Sequence, residues 1–139
     1  MRNNLIKTKN LRKTVLKKYL LDKSTTENLH VIVGDINIHN AKKLIGKHEN
    51  AQAIMLDVFD KSSRINAIQN ADIVVSMLPA RFHIEVAKDC ITYNKNMVTA
   101  SYVSDEMQAL DKAVKEKGLV FMNEIGVDPG IDHMRAMKE

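Results

Sequence analysis

The chain has 139 residues and a net charge of +4, and 45% of its residues are apolar, 27% charged and 4% aromatic. This length suits one domain with a hydrophobic core, and the lack of an apolar run of about 18 residues excludes a membrane-spanning helix. The single cysteine, Cys90, excludes an internal disulfide and a cysteine-based zinc site, so we expect a cytoplasmic protein. The scarcity of aromatic side chains argues against a nucleic-acid partner.

Apolar patterning along the chain predicts alternating helices and strands. An apolar stripe at Val15, Leu16, Tyr19 and Leu20 predicts a first helix that faces the core. Asp60 or Ser62 is expected to cap a later helix, and Ser104 and Gly118 to begin and end the last one. After the first helix, the predicted elements are a strand at 28–33, a helix at 37–47, a strand at 53–56, a helix at 61–70, a strand at 72–76, a helix at 82–92, a strand at 96–100, a helix at 104–117 and a strand at 119–122.

Strands separated by helices of this length indicate crossover connections and therefore a parallel sheet. We predict an α/β fold with a Rossmann-like, doubly wound parallel sheet. Ligands of such sheets bind beyond the carboxyl ends of the strands. The candidate site residues are then those that follow each predicted strand, namely Gly34-Asp35, Asp57-Val58, Leu78-Pro79, Ser101-Tyr102 and the segment 123–133.

Two carboxylates follow the early strands. Asp35, at the end of a strand, can accept hydrogen bonds from the adenosine ribose of NAD and would repel a 2′-phosphate. It can equally cap the helix that begins near Asn37. Asp57 is expected either near the adenine or in a simple turn, and the sequence favours neither.

A dinucleotide-binding fold needs a glycine-rich turn after its first strand, where the backbone approaches the pyrophosphate. The corresponding segment, 5–15, contains no glycine. Lys9, Arg12 and Lys13 can attract phosphate but cannot reproduce the close backbone approach. We therefore interpret residues 1–14 as a degenerate first strand and phosphate loop that binds a cofactor poorly or not at all.

Three segments, at 72–83, 98–104 and 122–134, resemble the saccharopine dehydrogenase family, also called saccharopine reductases, and the similarity extends from about residue 15 to the C-terminus. The resemblance implies an oxidoreductase of lysine metabolism. Such an enzyme uses NAD or NADP and acts on the CH–NH bond that joins two amino-acid moieties. A related branch makes carboxynorspermidine.

The resemblance also assigns residues, and none of them is a metal ligand. Asp35 departs from the Arg that NADP-using members often carry in this region, which favours NAD. Asp128 is the catalytic candidate, either binding a substrate ammonium or accepting the amine proton, although an Asp before Pro can also simply form a turn. Substrate contacts are expected at Ser101, Tyr102 and Asp128. Cofactor contacts are expected at Gly34, Asp35, Ile36, Asp57, Val58, Leu78, Ala100, Ser101, Val127, Asp128 and Pro129.

Family members carry a second, substrate-binding domain, whereas this sequence ends as a helix begins at 131–139. We expect the NAD(P)-binding part of a longer protein, inactive as this chain alone. The partner expected for the full-length family is a small amino-acid substrate, and a homo-oligomer is compatible with the sequence. The alternative is a degenerate, catalytically inactive Rossmann module that acts as a binding or interaction protein. His83 and His133 are expected to be structural or substrate-side residues.

Overall fold

The structure is a computed structural model that describes residues 2–7, 13–126, 131, 134 and 137. Its strands are β1 Arg2–Lys7, β2 Leu29–Asp35, β3 Ala51–Met55, β4 Ile73–Ser76, β5 Asn96–Thr99 and β6 Phe121–Met122. Its helices are α1 Lys13–Lys23, α2 Ile38–Ile45, α3 Lys61–Gln69, α4 His83–Thr92, α5 Asp105–Gln108 and α6 Asp111–Glu116, with a 3₁₀ turn at Ala80–Phe82.

The described strands form one parallel sheet in the order β3-β2-β1-β4-β5-β6. This is the strand order of dinucleotide-binding folds, in which the chain reverses direction across the sheet between β1 and β4. The predicted α/β, doubly wound fold is therefore confirmed. The register between β4 and β5 sets Ser76 beside Thr99 at the carboxyl ends of both strands.

Helices cover both faces of the sheet, so the core has two layers. The layer around Leu21, Val31, Val33 and Ala41 packs α1 and α2 against the early strands. The larger layer lies on the opposite face beneath α3, α4 and α5; it contains Ile32, Leu56, Ala67, Ile68, Ala71, Val74, Val86, Ala87, Cys90, Met97 and Met107. In the part of the chain that the structure describes, no helix is both long and apolar enough to cross a membrane.

Three of the sequence predictions need correction. The helix predicted at 104–117 is two helices, because Leu110 bonds back to Met107 in a tight turn between them. Tyr19, predicted to face the core, is 60% exposed, whereas Leu21 of the same helix is buried. The last strand is also shorter than predicted: the backbone N–H of Val120 donates to the Asn96 side chain instead of joining the strand ladder.

Helix ends follow the predicted capping chemistry. Asp60, not Ser62, caps α3, since its carboxylate accepts from the Ser62 N–H at 3.0 Å. Ser104 caps α5 by accepting from Met107 N–H, and Gly118 follows α6 with φ +62°. Such side chains satisfy N–H groups that a helix leaves unpaired at its start.

A buried ion pair joins α3 to α4 on the larger face of the core. Arg64 Nε donates to Asp89 Oδ2 at 2.6 Å, and both residues are less than a tenth exposed. The same guanidinium donates to the backbone carbonyl of Val58, in the loop after β3. Arg64 therefore links two helices and a loop at the edge of the sheet where the strands end.

Removing Asp89 should be costly, because among the described residues it leaves the buried Arg64 guanidinium with only the exposed carboxylate of Glu85, 4.0 Å away, as a counter-charge. We expect Asp89→Ala to lower the free energy of unfolding by about 3–5 kcal/mol in urea titrations. The matched control is Lys115→Ala, which breaks the exposed ion pair to Asp111 and should cost less than about 1 kcal/mol. Equal losses for the two variants would contradict the role given to Arg64 and Asp89.

Cys90 is completely buried in α4. Burial, assisted by the neighbouring Asp89 carboxylate, raises the pKa of its thiol to about 12. The reactive thiolate is therefore almost absent at neutral pH.

We expect the native protein to react negligibly with a thiol reagent such as DTNB at pH 8, and to react fully with one equivalent in denaturant. Cys90 is the sole thiol of the chain, so the signal reports on this side chain alone. Rapid stoichiometric labelling under native conditions would contradict its burial.

Candidate functional site

The parallel sheet brings the candidate residues to one edge, as the sequence predicts. Asp35 is the last residue of β2. The other candidates lie shortly after the strands that follow: Asp57 after β3, Leu78 after β4 and Ser101 after β5. The predicted catalytic residue, Asp128, and its neighbours Val127 and Pro129 lie outside the described residues, as do the phosphate-loop segment 8–12 and His133.

Asp35 ends β2 and is 5% exposed. Its Oδ1 accepts hydrogen bonds from the Asn37 N–H at 2.9 Å and from Asn40 Nδ2 at 3.4 Å. Asn37 itself is the cap of α2, because its side chain accepts from the His39 N–H. The carboxylate therefore organises the turn that leads into α2, and both of these hydrogen bonds use one of its two oxygens.

Gly34 precedes Asp35 and packs against the loop after β3. A Cβ at this position would lie 2.7 Å from Leu56 Cδ2 and 3.1 Å from Leu56 Cβ. A side chain at this position is thus disfavoured, because Leu56 would have to shift to make room for it. Ile36, the next predicted cofactor residue, projects into solvent with 62% exposure.

The β3–α3 loop contains Asp57 and Val58. Asp57 Oδ1 accepts from the Phe59 N–H at 2.9 Å, so the carboxylate forms a local turn. Val58 is buried beside Arg64. Phe59 packs edge-to-face on Phe82, with ring centroids 4.9 Å apart, which joins this loop to the one that follows β4.

A buried polar cluster surrounds His83 at the start of α4. His83 Nδ1 lies 2.7 Å from Ser76 Oγ, at the end of β4. Nε2 lies 2.8 Å from Ser101 Oγ and 3.2 Å from Thr99 Oγ1, at the end of β5. The imidazole therefore ties together the ends of two neighbouring strands.

Ser101 is held by several hydrogen bonds. Its hydroxyl contacts His83, its N–H donates to Thr99 Oγ1 at 3.3 Å, and its carbonyl accepts from the Glu124 N–H at 3.1 Å. Ala100, immediately before it, is half-buried. Each polar group of Ser101 thus contacts another part of the edge.

The segment after β6 lies alongside this edge. Ile125 N–H donates to the Thr99 carbonyl, and Glu124 Oε1 accepts from the Val103 N–H at 3.2 Å. Glu124 adopts φ +58°, a conformation that is unfavourable for a residue with a side chain. Tyr102, 60% exposed, borders a pocket of about 130 Å³ that is also lined by Arg81, His83, Thr99 and Asn123.

Two buried polar arrangements were not anticipated from the sequence: the Arg64–Asp89 pair and the full set of contacts made by His83. The sequence contained a signal for the contacts of His83. Ser76 and Thr99 are polar residues at the ends of apolar strands, each directly before a candidate ligand loop. Within the described ranges, no group of three or more His, Cys, Asp or Glu side chains is arranged to hold a metal ion.

A family model described as the saccharopine dehydrogenase NADP binding domain matches residues 13–122. The α-aminoadipic semialdehyde synthase of Arabidopsis thaliana is 42% identical over 117 residues, covering 84% of this chain and 11% of that protein. The saccharopine dehydrogenase [NADP(+), L-glutamate-forming] of Pyricularia oryzae is 42% identical over 118 residues, covering 85% of this chain and 26% of that protein.

The same relationship holds in three dimensions. The apo saccharopine dehydrogenase (L-Glu forming) of Saccharomyces cerevisiae superposes with a TM-score of 0.86 at 32% sequence identity, covering 99% of this chain and 30% of that one. The chain therefore spans about a tenth to a third of the length of these relatives.

The close approach of Gly34 to Leu56 makes a stability prediction that does not depend on any ligand. We expect Gly34→Ala to lower the free energy of unfolding by about 1–3 kcal/mol through overpacking. In a Leu56→Ala background the same substitution should cost less, because the side chain that it meets has been removed. If the two substitutions lower the free energy of unfolding additively in urea titrations, Leu56 is not the reason for glycine at this position.

Proposed function

The chain belongs to the saccharopine dehydrogenase family through its NADP-binding domain, and on this premise we propose that it holds a nicotinamide dinucleotide across the carboxyl edge of its sheet. The observation that carries the proposal is the placement of Asp35 and Ser101. They lie on opposite sides of the β1–β4 junction, where such folds bind the pyrophosphate. Asp35 would meet the adenosine ribose, and Ser101 would lie at the nicotinamide end.

We propose a preference for NAD over NADP. Asp35 is a nearly buried carboxylate at the ribose position, and the segment 35–41 contains no Lys or Arg to neutralise a 2′-phosphate. A phosphate placed beside this carboxylate would be repelled, whereas ribose hydroxyls can donate to it. The family model and the Pyricularia oryzae relative name NADP, so a preference for NAD would distinguish this chain from them.

For a full-length family member that contains this domain, we propose oxidation or reduction at the CH–NH bond of an amino-acid adduct such as saccharopine, in lysine metabolism. The bound nicotinamide would supply hydride chemistry, while the protein would orient the substrate and move one proton. Asp128 remains our predicted proton acceptor or ammonium ligand, with Ser101 and Tyr102 as the predicted substrate contacts.

The binding claim is tested by the thermal stability of the chain. NADH at 1 mM should raise the melting temperature, because a ligand that binds only the folded state stabilises it by mass action. The same experiment with NADPH should give a smaller rise. No shift with either cofactor at millimolar concentration would favour the inactive-module alternative, in agreement with the glycine-free segment 5–15.

The role of Asp35 is tested by comparing two charge-neutralising variants. Asp35→Asn should raise the affinity for NADPH relative to NADH about tenfold, measured as Kd values by calorimetry, since it removes the charge that opposes a 2′-phosphate; this corresponds to about 1.4 kcal/mol. Asp60→Asn makes the same charge change at a helix cap that is exposed. That control should leave the ratio unchanged, and equal effects of the two variants would contradict the assignment.

A further inference from the structure

We infer that His83 is a positioning residue that turns the Ser101 hydroxyl outward as a hydrogen-bond donor to the carboxamide oxygen of the nicotinamide. The inference rests on the proposed cofactor site. It concerns which ring nitrogen of His83 carries the proton, because this decides whether the Ser101 hydroxyl can donate a hydrogen bond to a ligand.

The buried hydroxyl of Ser76 indicates the tautomer. Ser76 is 2% exposed, and in the described part of the chain its hydroxyl has one hydrogen-bond partner, His83 Nδ1 at 2.7 Å. A buried hydroxyl that does not donate loses stability. Donation to Nδ1 requires that nitrogen to be unprotonated, so a neutral His83 carries its proton on Nε2.

The Thr99 hydroxyl is the competitor for the opposite arrangement. It lies 3.2 Å from Nε2 and would donate there if Nδ1 carried the proton. The contact to Ser76 is 0.5 Å shorter than that to Thr99, as the two distances show. The Ser101 hydroxyl, 2.8 Å from Nε2 and only half-buried, can either donate to that nitrogen or accept from it, so it does not decide the tautomer. Between the two buried hydroxyls, the shorter contact of Ser76 favours Nδ1 as the acceptor and Nε2 as the donor.

The Nε2 proton then points at Ser101 Oγ, 2.8 Å away. A serine hydroxyl that accepts this bond keeps its own hydrogen to donate elsewhere. The backbone N–H and carbonyl of Ser101 are held by Thr99 and Glu124, so its side chain has a fixed base. With Asp35 on the adenosine side of the sheet, a dinucleotide bound across the edge would have its nicotinamide end on the β4–β5 side, where Ser101 lies.

Calorimetric titrations with NADH and with ADP-ribose, which lacks the nicotinamide ring, separate positioning from general stability. We expect His83→Asn to weaken NADH binding about fivefold, the usual size of one lost hydrogen bond, and to leave ADP-ribose binding within about twofold. His83→Gln, whose amide nitrogen can occupy the Nε2 position, should restore most of the NADH affinity.

Ser101→Ala should reproduce the loss seen for His83→Asn, and the double variant should bind NADH no more weakly than either single variant, because both act on the same donor. Additive losses would overturn the inference. Equal weakening of NADH and ADP-ribose, or weakening of neither, would also overturn it.

Two-bond ¹H–¹⁵N NMR of the ligand-free protein reports the tautomer directly and does not depend on cofactor binding. We expect a protonated Nε2 for His83; a protonated Nδ1 would overturn the inference even if the cofactor binds. If the wild-type chain binds neither NADH nor ADP-ribose, the proposed function fails and the carboxamide contact fails with it, while the NMR result still decides the state of the imidazole.

Discussion

The contact of Arg64 with Asp89 and Val58 fixes the loop and helices at the carboxyl edge of the sheet. Parallel strands end in loops, and loops hold their shape only where something fixes them. Here one guanidinium binds a carboxylate of α4 and a carbonyl of the β3–α3 loop. Because these groups are buried, their attraction is weakly screened by solvent, and the pair sets the spacing of two helices beneath the edge.

His83 has the corresponding role on the other side of the edge. It bonds to Ser76 on β4 and to Ser101 after β5, and so fixes two strand ends relative to each other. Phe59 and Phe82 complete the arrangement by packing the β3 and β4 loops together. Rigid support of this kind is what a dinucleotide site needs, because its ligand spans several loops at once.

The doubly wound parallel sheet and the edge position of the candidate residues could be predicted from the sequence, because apolar runs separated by helices admit few topologies. The break at Leu110 could not, since a helical pattern with a good cap gives no sign of one tight turn within it. The partners of His83 and Arg64 depend on register and helix packing, which bring together residues such as Arg64 and Asp89 that are 25 positions apart. Asp35 lies between these cases. Its position at the end of a strand could be predicted, whereas its hydrogen bonds to Asn37 and Asn40 depend on the folded turn.

Glu124 shows how the segment after β6 is attached. Its left-handed backbone costs about 1 kcal/mol relative to glycine, and the contacts to Val103 and Ser101 offset that cost locally. An attachment built from strain and a few hydrogen bonds at the sheet margin can open without disturbing the core layers. Local opening of the segment after β6 is therefore expected to cost less free energy than unfolding of either core layer.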